Sequence, residues 1–108
     1  SPTFWKVGHA MGWLQDAREL PWPALRQRLT QMLADSTPAP LERLPQLPPD
    51  SPFDSATLQL LSALCVRTPL YGTRSSTVVA LTRRGVGEYW FAEGPPDLTH
   101  FQELSSLF

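Results

Sequence analysis

The chain has 108 residues and a net charge of −1 at neutral pH, enough for one domain with one core. That balance gives no reason to expect nucleic acid, whose binding rests on many phosphate-neutralising cations, and no run approaches the ~20 apolar residues of a membrane span. A single cysteine, Cys65, excludes an internal disulfide and a cysteine-rich metal site, and it is compatible with a reducing compartment, so the cytoplasm is the expected location.

The opening residues, SPTFWKVGHA, lack the basic and apolar regions of a signal peptide and an initiator Met, which predicts a processed or truncated chain. The block FWKVGHAMGWLQDAREL brings Trp5 and Trp13, with Trp22 soon after. Two roles fit these indoles: packing the joins between elements, or a flat aromatic wall for a planar or acyl ligand. His9 stands in GHAMGW, where glycines on both sides would allow close approach of a flat ligand. His9 and His100 are the only histidines, and either could ligate a metal or haem iron; no metal-ligand spacing is present.

PWPALRQRLTQMLAD predicts a helix. Pro23 suits its first turn, Leu25, Leu29, Met32 and Leu33 share a face, and Pro38 and Pro40 bar continuation. Residues 36–53 hold many of the 12 prolines and read as an extended connector within the single domain 1–108. Leu41, Leu44 and Leu47 suggest that it lies against the body. A short helix is expected from about Ser55 to Ala63, capped by Asp54 or Ser55, with Leu58, Leu61 and Leu64 on its buried side. Leu64 to Arg67 then reads as extended, and Cys65, among apolar neighbours, as a buried structural thiol.

The last third predicts a hairpin: STVVALT, a turn from the RRGVG glycines, then GEYWFAE. The runs Val78–Leu81 and Tyr89–Ala92 predict strands covered on both faces. The tail LTHFQELSSLF fits helix and strand about equally and is read as a closing strand. Ahead of the hairpin, Thr73, Arg74, Ser75, Ser76 and Thr77 cluster donors at the strand's mouth. Arg74 has a planar fork of donors, so this corner suits a carboxylate, phosphate or haem propionate; the competing role is an internal ion pair with Glu88 or Glu93. Tyr71 and Gly72 are expected to set the turn that delivers Arg74.

CVRTPLYGTRSSTVVAL, followed by a glycine turn and an aromatic strand ending FAEG, resembles the C-terminal signature of the NRDE family, which includes the transport-and-Golgi-organisation proteins. LQDARELPWPALRQRL is similar to that family's middle segment, in which a Pro-Trp pair opens a helix. The similarity runs from about Gly12 to Phe91, with YGTRSST its specific part. Where family members often carry a Ser-Asn pair before Pro-Trp, this chain has Gln15 and Asp16. The family's N-terminal cysteine and Asn-Arg-Asp-Glu motif have no counterpart here.

The resemblance implies an α+β fold, the C-terminal portion of an N-terminal-nucleophile hydrolase-like αββα sandwich, with antiparallel strands and two helices. It implies ligand handling (haem or acyl/lipid trafficking), or an amidohydrolase whose nucleophile lies upstream; a protein-interaction module is the third reading. Tyr71, Gly72, Thr73 and Arg74 carry over as motif positions. Ser75, His9 and Trp13 complete the candidate ligand contacts, with no catalytic residue and no metal site. Ser1 does not suit an N-terminal nucleophile, being followed by Pro2 and lying just upstream of the middle segment. The expected partner is a missing N-terminal half or another chain, since apolar strands without a second sheet would be exposed, and the chain alone is expected not to be catalytic.

Overall fold

A computed structural model of the chain describes residues 2–44, 46, 49–52, 54–68 and 72–107, with side chains described from residue 5 onward. Among these described residues three α-helices, α1 (Pro2–Trp13), α2 (Trp22–Leu33) and α3 (Ser55–Leu61), precede a three-stranded antiparallel sheet of β1 (Ser75–Thr82), β2 (Gly85–Glu93) and β3 (Gln102–Glu103). The class is α+β, with one helix more than expected.

The extra helix is α1. Gly8 lies in its interior, costing about 1 kcal/mol relative to alanine, and Gly12 lies in its last turn, and this weakens any helical signal read locally. The face that packs is nonetheless helically spaced: Trp5, His9 and Trp13 recur every four residues. Tertiary contact overrides propensity here, because both His9 and Trp13 bond to one carboxylate beyond the end of α2.

Helix α2 begins as expected, with Pro23 in its first turn and the Leu25 N–H donating to Pro21 O at 2.9 Å. The connector departs from expectation in what anchors it. Leu41 is 60 % exposed, whereas Ala39 is fully buried. Burial would orphan the backbone groups of Ala39, and α3 satisfies both: the Ala39 N–H donates to Ser62 Oγ at 2.6 Å, and Gln59 Nε2 donates to Ala39 O at 2.9 Å. Leu47 lies outside the described residues. Asp54 caps α3, accepting the Thr57 N–H at 2.7 Å.

β1 pairs with β2 in the register Ser76↔Ala92, Val78↔Trp90 and Ala80↔Glu88, with an irregularity between Ala80 and Leu81. The turn is tighter than the RRGVG segment, since Thr82 already pairs with Gly85. Gly85 takes φ +117°, as the turn requires, while Gly87 serves close approach: a Cβ there would meet Thr82 Cγ2 at 2.9 Å. The tail forms β3, paired to β2 through Trp90↔Glu103 and Phe91↔Gln102, and ends in a 3-10 turn, Ser105–Leu107.

Burial along β1 corrects the two-faced reading. Ser76 and Val78 are buried, while Thr77, Val79 and Leu81 are exposed, Leu81 at 76 %. Pleating sends alternate side chains to opposite faces, and α2 meets the sheet on the face that Glu88 and Trp90 share with their partners Ala80 and Val78. The fully buried set is small: Ala39, Cys65, Ala92 and Ser62 have no exposed surface. The surface of the whole chain is 7676 Å², against about 6,000 Å² for a compact monomer of this mass. The radius of gyration is 16.1 Å, against about 13 Å for this length.

Candidate functional site

The Arg74 corner is a tied strand entrance. The Thr73 N–H donates to Val66 O at 2.8 Å, and the Val66 N–H donates to Thr73 Oγ1 at 3.0 Å. Gly72 bridges to Arg67, and a Cβ on it would lie 3.2 Å from Val66 O, so glycine permits this approach. Arg74 O accepts the Gly94 N–H at 2.7 Å. The Thr73 hydroxyl is thus engaged by the backbone, while Arg74 and Ser75 are exposed. Among the described residues no ion pair reaches the Arg74 guanidinium, neither from Glu88 nor from Glu93. Tyr71 lies outside the described residues.

Glu88 has a different cation. Its carboxylate accepts Trp22 Nε1 at 2.5 Å, Trp90 Nε1 at 2.8 Å and Arg26 Nη1 at 3.3 Å, and the Arg26 guanidinium lies over the Trp90 ring at 4.3 Å. The bond from Trp90 does most to hold this carboxyl below its usual range, helped by Trp22 and Arg26 against partial burial. One acid on β2 thereby fastens the start of α2 to the sheet. Beside it runs an open groove of about 710 Å³ between α2 and the tail, bearing Arg26, Trp90, His100, Phe101, Pro96 and Thr30.

His9 and Trp13 come together on Asp35. Trp13 Nε1 donates to Asp35 Oδ2 at 2.7 Å, His9 Nε2 lies 2.6 Å from the same oxygen, and the Thr37 N–H donates to Oδ1 at 2.8 Å. Trp5 stacks on the His9 ring, centroids 4.5 Å apart and planes 14° from parallel. Burial opposes ionisation of Asp35, but the bonds from Thr37, Trp13 and His9 outweigh it and hold the carboxyl down at about 2. An ionised carboxylate only accepts, so His9 Nε2 carries the proton of this bond.

That geometry tells against haem at His9. The outer ring nitrogen is occupied by Asp35, leaving only Nδ1, next to the ring's own backbone attachment, and the adjoining groove of about 680 Å³ is open and lined by Gln15, Asp16, Arg28 and Gln31. The indoles Trp13 and Trp22 donate across joins between elements, to Asp35 and Glu88 respectively, as the packing role requires. Among the described residues no hydrogen bond or ion pair joins this clasp to Arg74.

Cys65 is buried, its thiol 3.4 Å from Asp97 Oδ1, and Arg67 Nε lies 3.1 Å from Asp97 Oδ2. Burial pushes the thiol's pKa up, which lowers the thiolate fraction that reacts. Native protein should therefore resist a thiol-reactive aromatic disulfide at pH 8 while urea-unfolded protein reacts fully; rapid native labelling would show that this joint opens. Asp97 had no distinguishing signal in sequence, standing among turn residues. Among the described residues no group of three His, Cys, Asp or Glu could hold a metal ion, and no helix is long and apolar enough to cross a membrane.

Comparison with known protein families, curated proteins and solved structures found no match to this chain.

Proposed function

We propose that this chain is a ligand-handling layer of the NRDE type, working with its open sheet face covered by a second apolar sheet of an αββα, N-terminal-nucleophile hydrolase-like body. The observation that carries this is the open face itself: Val79 and Leu81 are 40 % and 76 % exposed on the side of β1 away from α2. The ligand is an acyl chain with an anionic head; at His9 the clasp occupies the outer ring nitrogen, which tells against haem there. The groove beside α2 offers Arg26 and His100 to the head, and Trp90 and Phe101 to the chain. Catalysis is not assigned to this layer: its cysteine is buried beside a carboxylate with its pKa raised.

Two measurements test the reading. The chain alone should bind an apolar surface dye, and Val79→Lys with Leu81→Lys should remove most of that signal without loss of secondary structure; a monodisperse, cooperatively folding monomer without dye binding would sink the covered-layer reading. Palmitoyl-CoA at micromolar concentration should quench tryptophan fluorescence saturably, with weaker binding in Phe101→Ala; the absence of saturable quenching removes the ligand. The same open face also suits docking on an unrelated protein, which full dye binding without any acyl-CoA response would favour.

A further inference from the structure

We infer that the outer edge of β1 takes up an extended peptide segment with acidic residues at both ends, added to the sheet as a fourth strand. The order β1-β2-β3 leaves β1 with one side unpaired from Ser75 onward; just ahead of it, Val66 O accepts the Thr73 N–H at 2.8 Å, so the added strand ends at Ser75. The register tells which backbone groups point there. The Gly94 N–H donates to Arg74 O, one step beyond the pairs Ser75↔Glu93 and Ser76↔Ala92. Bonded and non-bonded pairs alternate in an antiparallel ladder. Ser76, Val78 and Ala80 therefore bond toward β2, and Ser75, Thr77 and Val79 turn their N–H and C=O groups outward. Strand β2 has the matching phase: Tyr89, opposite Val79, gives its N–H to Ser105 Oγ at 3.0 Å and accepts the Leu104 N–H at 2.7 Å, both on its far side.

Among the described residues no backbone hydrogen bond reaches the outward groups of Ser75, Thr77 or Val79. Natural sheets guard such an edge with proline, lysine or an inward charge, and Ser75–Thr82 contains none of these. Its one irregularity, between Ala80 and Leu81, comes after the open stretch.

Charge selects the occupant. Arg74 precedes the strand and Arg83 and Arg84 follow it; all three are exposed, and none joins an ion pair among the described residues. A second copy adding antiparallel would set Arg74 of one chain near Arg83 and Arg84 of the other, a like-charge pairing that disfavours it. A strand of alternating hydroxyl and apolar residues with Asp or Glu at its ends meets opposite charge at both. Main-chain bonds then supply affinity, and alternate side chains lie beside Val79 on the open face. The edge is distinct from that face and does not depend on what covers it.

The test is fluorescence polarisation of the labelled peptide DETVTVTED on the 108-residue chain, beside the same core flanked by glutamine or by lysine. The acidic peptide should bind about tenfold tighter than the glutamine one, with the advantage lost in 0.5 M salt. Thr77→Pro removes an outward donor that lies outside the β1–β2 ladder, and should weaken binding about tenfold. Reversing the three flanking charges (Arg74→Glu, Arg83→Glu, Arg84→Glu) should switch the preference to the lysine-flanked peptide. Equal binding of all three peptides, or binding indifferent to Thr77→Pro in a protein with unchanged circular dichroism, overturns the inference. A dimer of the chain that Thr77→Pro dissolves also overturns it, in favour of a second copy.

Discussion

Replacing Asp35 by alanine will cost about 3 kcal/mol of stability and will loosen α1 before the rest of the chain. Three donors converge on this carboxylate, from Thr37, Trp13 and His9, and its side chain is only 10 % exposed. Without it the Trp13 indole and the His9 ring lose their common partner, and α1, twelve residues long with Gly8 in its interior, has little intrinsic helicity to fall back on. Chemical denaturation gives the loss, and amide exchange along Pro2–Trp13 gives its location. The pH dependence supplies a second readout. The folded carboxyl titrates at about 2 against an ordinary 3.8, so the unfolded chain takes up the proton first as pH falls. The stabilisation, about 2 kcal/mol, is complete above about pH 5 and fades as pH approaches 2. Asp35→Asn should flatten that acid limb; an unchanged limb would mean that the carboxylate is not the clasp.

The join between α2 and the sheet should be as sensitive. Trp22→Ala is expected to cost about 3 kcal/mol, because it removes both the ring that packs at the start of α2 and a donor to Glu88. Trp22→Phe keeps the ring and should cost about 1 kcal/mol. If the two substitutions are equally harmful, the hydrogen bond rather than packing carries the join; if neither matters, Arg26 stacked on Trp90 holds it alone. Removing Glu88 should lower the unfolding midpoint as well, since two indoles and a guanidinium share its oxygens.

The elements with strong local signals were legible in the sequence. Pro23 and the leucine face of α2, the Asp54 cap of α3, and the glycine turn of the hairpin each act within a few residues of where they stand. The clasps were not. Glu88, one of two acids offered as a partner for Arg74 in its competing role, faces Arg26, which lies 62 residues away in the chain. Asp35 offered only its place beyond a predicted helix, and its partners lie in a block whose glycines masked the spacing of Trp5, His9 and Trp13. Of the candidate ligand contacts, Thr73 and Gly72 serve the strand entrance, Arg74 and Ser75 stand exposed beside it, and His9 and Trp13 belong to the Asp35 clasp.

By itself the sequence determined where α2, α3 and the hairpin run and that Cys65 is buried, because propensity, capping and turn chemistry are short-range and written in neighbouring residues. Only the tertiary structure decided which acid meets which donor, that α1 is a helix, and that the apolar run of β1 has one covered face and one open. Those outcomes depend on desolvation and hydrogen bonding between segments distant in the chain, and the energy of such a pairing belongs to neither segment alone.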